Sequence, residues 1–406
     1  MKAAPAPASD LVVDPPAGSP AGPASEQVAT PTIPLAKPSM GPDELAAVEA
    51  VLHSGWLAGQ GPRSTALEAA FCELTGRAHA IAVNNCTAGL HLALRALGVA
   101  PGDEVLVADY TFPATAHAVL YCGATPVLVD VRPDTGTLDP ALVEAAITER
   151  TVGVIAVDAL GTPADWTELE QITRARGLFL LEDAACSTGG RYQGRPCGAF
   201  GDVAVFSLHA RKGVTCGEGG VVVTDDARLA AQVRSEAAFG MQSAFARQGS
   251  SALPIGTFAD LGYNYKLSDV LAAIAVVQLG RLDSFLARRQ QLADRYAVLL
   301  ADVPQIAVPV VPADRASTWQ TYAVTVLPPV DRDAVAMRLR SRGIGSTIGT
   351  YALHREPLYG SPAVCPVSAG LFHQHLALPM FPELTDADQD RVVAELRAAV
   401  SDLSAT

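Results

Sequence analysis

The chain is short of lysine. Only Lys2, Lys37, Lys212 and Lys266 occur in 406 residues, and arginine supplies the rest of the 29 basic side chains. Acidic residues number 42, which leaves a formal net charge of −13. That balance excludes nucleic acid and anionic membrane surfaces as main partners. Long apolar runs are missing too. Although 49% of the residues are hydrophobic, no uninterrupted stretch approaches the roughly 20 residues that a bilayer requires. The opening MKAAPAPASDLVVDPPAGSP has one basic residue and no apolar core of the kind a secretory signal needs, so a cytoplasmic protein is expected. The seven cysteines include no C-x-x-C pair and no Cys/His cluster at zinc or iron–sulfur spacing. Free thiols and no metal site are expected.

What is present is alternation. Residues 1–30 are rich in Ala, Pro, Ser and Gly without periodicity, and are expected to be disordered. A helix is predicted from Pro42 to His53, with Leu45, Val48 and Leu52 on one face and Gly55 closing it. Short β-branched runs follow at Ala80–Val83, Glu104–Ala108, Pro126–Asp130, Val152–Val157, Leu178–Glu182, Val203–Phe206 and Gly220–Thr224. Helical stretches such as Ala88–Leu97, Pro140–Thr148 and Trp166–Arg176 lie between them. The runs are apolar almost throughout, as in strands buried on both faces. The pattern predicts an α/β fold with a mostly parallel seven-stranded sheet between helices. After Asp269 the text turns helical (Val270–Leu279, then Arg281–Leu300). A smaller α+β piece follows, with a strand at Tyr322–Leu327 and helices at Arg332–Arg342 and Ala387–Leu403. The expected organisation is a large domain over 31–285 and a small C-terminal domain over 286–406.

Ligands of open α/β sheets collect at the carboxyl ends of the strands. Four predicted strand exits carry chemistry. After Ala80–Val83, Thr87 reads as the N-cap of the next helix, which is either an ordinary capped helix or a phosphate site. Asp183 ends the run Leu178–Glu182 as a capping carboxylate or as the partner of a protonated pyridine nitrogen. Ser207 and Lys212 follow Val203–Phe206, a hydroxyl for a phosphate and an amine for an aldehyde carbon. A Schiff base needs an amine that deprotonates near neutral pH, which arginine cannot supply. Lys212 alone of the four lysines follows a strand. Phe112, after Glu104–Ala108, is a core aromatic or a ring that stacks on a planar cofactor. A phosphate cradle, a stacking face, a pyridinium partner and an amine at one sheet edge point to pyridoxal 5′-phosphate (PLP).

From about Ile33 to the C-terminus the chain resembles the PLP-dependent sugar aminotransferases of the DegT/StrS type, within the fold-type I enzymes. The marks are Gly55–Pro62, Cys86-Thr-Ala-Gly-Leu, Glu182-Asp-Ala-Ala, Phe206-Ser-Leu-His-Ala-Arg-Lys, Gly217-Glu-Gly-Gly, Leu261-Gly-Tyr-Asn-Tyr-Lys-Leu-Ser-Asp, Leu353-His-Arg-Glu-Pro-Leu-Tyr and Leu376-Ala-Leu-Pro. The resemblance implies that Lys212 carries the cofactor and that Asp183 pairs with the pyridine nitrogen. It implies backbone phosphate donors at Thr87 and Ala88, helped by the Ser207 hydroxyl, and an aromatic over the ring at Phe112. Asn264 falls where a neighbouring subunit's Asn reaches the phosphate, which implies a homodimer with shared active sites. Tyr351 and His354 fall near the substrate.

Three positions depart from the family pattern. Cys186, a weak hydrogen-bond partner, stands near the cofactor's 3′-oxygen where Gln or His is usual. Asp158 stands where His is common, with an expected effect on substrate preference. Lys266 replaces a frequent Arg and loses its bidentate geometry. The expected reaction moves an amino group from glutamate or glutamine to a keto group of a nucleotide-linked deoxysugar or a cyclitol. A PLP-dependent dehydratase or aromatizing enzyme on the same scaffold, and a PLP-binding regulator without turnover, are the alternatives.

Overall fold

Each of the seven apolar runs is a strand, and all seven join one sheet. The computed structural model describes residues 32–242, 256–360 and 363–404; the tail expected to be disordered over 1–30 lies outside them. The strands are β1 (His79–Val83), β2 (Glu104–Ala108), β3 (Thr125–Val129), β4 (Thr151–Val157), β5 (Phe179–Asp183), β6 (Val203–Ser207) and β7 (Gly220–Thr224). Their order across the sheet is β1-β7-β6-β5-β4-β2-β3. The run β6-β5-β4-β2-β3 is parallel, and β7 lies antiparallel to both β6 and β1. The parallel strands therefore all end at one edge, and β7 begins there opposite Ser207 and Val83.

Helices cover both faces of this sheet, as continuously apolar strands demand. Among them are α1 (Pro42–Ser54), α2 (Pro62–Thr75), α3 (Cys86–Ala96), α4 (Ala114–Tyr121), α5 (Pro140–Ala146), α6 (Trp166–Arg176), α7 (Ala227–Glu236) and α8 (Asp269–Gly280). Leu90, Leu94, Val107, Ile155, Val205 and Val222 share one core layer; Leu106, Val154, Leu180, Trp166 and Phe200 share the layer on the other side.

The C-terminal part builds a second, antiparallel sheet from β8 (Ile306–Ala307), β9 (Tyr322–Val326), β10 (Thr347–Ile348) and β11 (His375–Leu378), in the order β8-β9-β11-β10. It shares a core with α9 (Leu282–Leu300), α10 (Arg332–Ser341) and α11 (Asp386–Ser404), through Leu292, Tyr296, Val324, Leu339, Leu376 and Leu396. The boundary expected near residue 285 falls inside α9. No single helix among the described residues is long and apolar enough to cross a membrane.

The expected apolar face of α1 is corrected. Leu45 and Leu52 are 71% and 56% exposed, while Val51 and Glu44 are buried. The reason is polar: Glu44 Oε1 accepts from Gln278 Nε2 (2.6 Å) and from the Arg281 guanidinium (2.8 Å), and this network turns the opposite face of α1 inward. Gly55 does close the helix, in the left-handed region at φ 73°.

Candidate active site

The edge where β1, β2, β4, β5 and β6 end opens into a cavity of about 260 Å³. Thr87, Phe112, Asp183, Cys186, Ser207 and Lys212 all line it. Six of the ten expected site residues, drawn from four strand exits, therefore share one space. A larger open cleft of about 910 Å³ lies beside α2 and α7 and is lined by none of them.

Lys212 reaches the cavity from the loop between β6 and β7. That loop closes as a narrow ladder, with Leu208 N donating to Gly219 O (2.8 Å) and Ala210 N to Gly217 O (2.8 Å). Gly217 permits it by adopting φ 93°. Lys212 Nζ donates to Cys186 Sγ at 3.1 Å. Burial alone would push the ammonium down, but the sulfur of Cys186, then Cys86 and the Asp183 carboxylate, more than offset it and hold its pKa above the ordinary value. Before loading, the amine is thus an ammonium that must lose a proton to attack an aldehyde.

Asp183 is 4% exposed. Its Oδ2 accepts from Thr115 Oγ1 (2.8 Å) and its Oδ1 from Ala185 N (3.1 Å). Burial raises its pKa; the Thr115 hydroxyl, the Ala185 N–H and the Lys212 charge pull the other way. Thr115, on α4, had no signal in the sequence beyond its place near Phe112.

The start of α3 forms the third wall. Asn85, not Thr87, is the N-cap: its Oδ1 accepts from Ala88 N at 2.8 Å. Ala88 is corrected as a backbone donor, because that N–H is already spent on the cap. The first bond internal to the helix is Gly89 N to Asn85 O (3.1 Å), so the N–H groups of Cys86 and Thr87 head the helix toward the cavity wall. Gly220, at the start of β7, lets this turn come close. A Cβ there would lie 2.7 Å from Asn85 C and 2.8 Å from Cys86 N, both backbone atoms. Gly220→Ala must displace the first turn of α3. The expected result is PLP affinity weakened by about tenfold or more, with a stability loss of roughly 1–3 kcal/mol from overpacking, read by cofactor titration and thermal melting.

The remaining expected residues are placed elsewhere. Tyr351 does not line the cavity but stands at its rim, its ring 6.1 Å from that of Phe112. His354 turns away from the cavity, with Nδ1 2.6 Å from Asp109 Oδ2 and its N–H on Asp109 Oδ1. Asn264 does not line this chain's cavity; it accepts from Lys266 Nζ at 2.6 Å, and Lys266 also lies over the Phe239 ring at 4.4 Å. Arg211, Gln320, Thr321 and Thr350 line the cavity without having been anticipated.

Asp158, expected to bear on substrate preference, does not reach the cavity. It is fully buried and accepts from Ser187 Oγ (2.5 Å), Ala164 N (2.9 Å) and Trp166 Nε1 (3.2 Å). Beside it Glu182, also fully buried, accepts from Gly198 N and Phe200 N. Burial pushes both carboxyls up, and the Asp158 charge pushes Glu182 further. A group whose folded pKa is raised contributes stability that is lost as pH climbs from its ordinary value, 4.5 for Glu182, through the folded one. Asp158→Asn removes the charge that pushes the Glu182 carboxyl up. The variant is expected to gain melting temperature relative to the parent as pH rises above the ordinary value of Glu182, 4.5, read by thermal melting across a pH series.

The residues fit PLP: a half-buried lysine amine, a buried carboxylate and an open helix start surround one cavity. Comparison with known proteins agrees. The model of the DegT/DnrJ/EryC1/StrS aminotransferase family matches residues 38–397. The aminotransferase TlmJ from Streptoalloteichus hindustanus is similar at 35% identity over 92% of this chain and 100% of its own, with a TM-score of 0.86. DesI, solved in the presence of its TDP-sugar product, is similar at 34% identity over 93% of this chain and 95% of its own, with a TM-score of 0.83. A Streptococcus pneumoniae chain solved in its PLP form is similar at 27% identity over 91% of this chain and 99% of its own, with a TM-score of 0.84.

Proposed function

The chain belongs to the DegT/DnrJ/EryC1/StrS aminotransferase family and is a PLP-dependent sugar aminotransferase; from that premise we propose that it aminates a keto group of a nucleotide-linked deoxysugar or a keto-cyclitol, with glutamate or glutamine as donor. One observation carries the reading: Lys212 Nζ, the Asp183 carboxylate and the start of α3 face one cavity. DesI, with its TDP-sugar product, supports the nucleotide-linked acceptor.

When bound, PLP supplies a ring that accepts the electron pair left by loss of the substrate's α-proton. The chain's own groups do the rest. The N–H groups of Cys86 and Thr87, with Ser207 Oγ, hold the phosphate. Asp183 holds the proton on the ring nitrogen, and Thr115 holds Asp183. Phe112 would supply an aromatic face for the ring, with Tyr351 packed edge-on beside Phe112. With PLP bound, Lys212 Nζ would be the amine that holds its aldehyde and, as a base, would move the substrate's α-proton. Cys186 Sγ receives a hydrogen bond from the same amine and steadies it between these tasks.

The working form is a homodimer in which Asn264 serves the neighbouring subunit's phosphate. Two facts support this: Asn264 lies off its own chain's cavity, and Met40, Leu45, Leu52, Trp56 and Leu57 leave an uncovered apolar surface along and beside α1. The protein works in the cytoplasm, where its acidic surface and free thiols are at home. The test is to follow glutamate and glutamine consumption against a panel of nucleotide-linked keto sugars and keto-cyclitols, with product mass. Amine transfer to one of them confirms the reading; loss of water without donor consumption overturns it.

A further inference from the structure

Five charged or titratable side chains other than cysteine and tyrosine line the cavity: Asp183, Lys212, His209, Arg211 and Glu218. Asp183 and Lys212 have their partners at the floor. Glu218 Oε1 leans toward His209 Nε2 at 3.7 Å. The Arg211 guanidinium is different: it is exposed, and it has no hydrogen-bond or ion-pair partner among the described residues. Most arginines here are tied down, as Arg77 is to Asp225, Arg95 to Glu236, Arg234 to Glu68 and Arg315 to Asp165. Arg63, Arg174 and Arg340 are also without such a partner, but none of them lines the cavity.

The backbone of Arg211 is fixed. Its N–H donates to His209 Nδ1 (3.2 Å), and its carbonyl accepts from Gln320 Nε2 (3.1 Å), which comes from the C-terminal part of the chain. The next residue is tied in turn, Lys212 N donating to His209 O at 2.8 Å. A planar fork of donors is thus anchored one residue from the reactive amine, with its hydrogen-bonding capacity unspent. In a chain of net charge −13 an arginine left without a carboxylate is conspicuous by its neighbours' pairing.

We propose that Arg211 is the anion-recognition residue at the mouth of the site, gripping the oxyanion tail of a substrate whose reacting carbon sits at Lys212. The inference rests on the transaminase reading above. In a two-half reaction both substrates enter the same cavity in turn: the donor brings a carboxylate, and a nucleotide-linked acceptor, though not a cyclitol, brings a diphosphate. A guanidinium fork matches either group bidentately, which the point charge of a lysine does not. Glu218, at the same mouth, bars a tail from its own side by like charge, so the anion is steered to Arg211.

The test is Arg211→Gln and Arg211→Lys in the PLP-loaded full chain, with each half-reaction measured separately. Arg211→Gln is expected to lower kcat/KM by about tenfold or more through KM, with the visible absorbance of the lysine-bound cofactor unchanged and Arg211→Lys recovering only part. A loss confined to the donor half assigns the carboxylate, and one confined to the acceptor half assigns the diphosphate. Calorimetry with glutarate and with inorganic pyrophosphate, on the parent and on Arg211→Gln, gives a readout independent of turnover. If transamination itself is absent but either probe still loses affinity in Arg211→Gln, the transaminase reading fails and Arg211 keeps its anion role. If both half-reactions and both probes are indifferent to Arg211→Gln, the proposal is overturned.

Discussion

Lys212→Ala is expected to abolish transamination, with kcat down by about 10⁴-fold, the upper range for removing a positioned acid–base group, and more where the covalent link to the cofactor also counts. Among the described residues no second amine can take over. Lys266 donates to Asn264 and lies on the Phe239 ring, away from this cavity. Lys37 does not line the cavity either. Arg211 is adjacent in the chain but carries a guanidinium, which does not replace an amine as the Schiff-base former. The fold should survive, because the lysine head is held only by the Cys186 sulfur at 3.1 Å. Two readouts separate the chemistry from collapse: the purified variant lacks the lysine-bound cofactor absorbance, and its thermal melt stays near the parent's. A small exogenous amine restores part of the proton transfer. The raised pKa of Lys212 adds a direction to the loading step. Mixing cofactor-free protein with PLP should proceed faster as pH rises, because the ammonium must shed its proton first. Substantial transamination by Lys212→Ala would remove the lysine from its role.

The central sheet was legible because buried parallel strands advertise themselves. Glu104–Ala108 and Gly220–Thr224 fall where the apolar runs place them; three of the other strands differ from their runs by one residue at one end, and Thr125–Val129 and Phe179–Asp183 are shifted by one residue at both ends. Strand exits in turn placed Asp183, Ser207, Lys212 and Phe112 at one edge without any contact being known. What the sequence hid has physical reasons. The N-cap of α3 is Asn85 and not Thr87, because two polar residues flanking Cys86 compete for the cap and only geometry decides. The inward face of α1 is set by a Glu44–Gln278–Arg281 network more than 200 residues apart in the chain, which no local periodicity reports. Gln320 comes to the mouth of the cavity from beyond the sheet altogether, and strand exits cannot find it. His354 illustrates the converse. Its motif position suggests the substrate, but a buried carboxylate at Asp109 claims the ring.

Asp183→Asn should separate activity from stability by moving them in opposite directions. The carboxylate is buried and holds two hydrogen bonds, from Thr115 Oγ1 and Ala185 N. An amide of the same shape keeps the Ala185 bond through its oxygen, and the Thr115 hydroxyl can turn to accept from its nitrogen. The pocket is thus preserved, and only the charge is gone. Burial raises the folded pKa of Asp183, so ionising it costs stability at every pH above its ordinary value of 3.8. The cofactor-free variant should therefore melt no lower than the parent at neutral pH, and higher if the Lys212 charge does not fully compensate. Catalysis should go the other way. The proton on the ring nitrogen needs a buried counter-charge, and removing one partner of such a pair costs about 3–5 kcal/mol, or roughly 10²–10⁴ in kcat. Thr115→Val keeps the carboxylate but deletes the hydroxyl that aims it, so a smaller loss of about tenfold is expected from one hydrogen bond to a charged group. The order Asp183→Asn below Thr115→Val below parent, with melting temperatures that do not follow it, is the signature of a charge that serves the cofactor at the expense of the fold. A variant Asp183→Asn that turns over as the parent does would mean that the ring nitrogen is met by some other group.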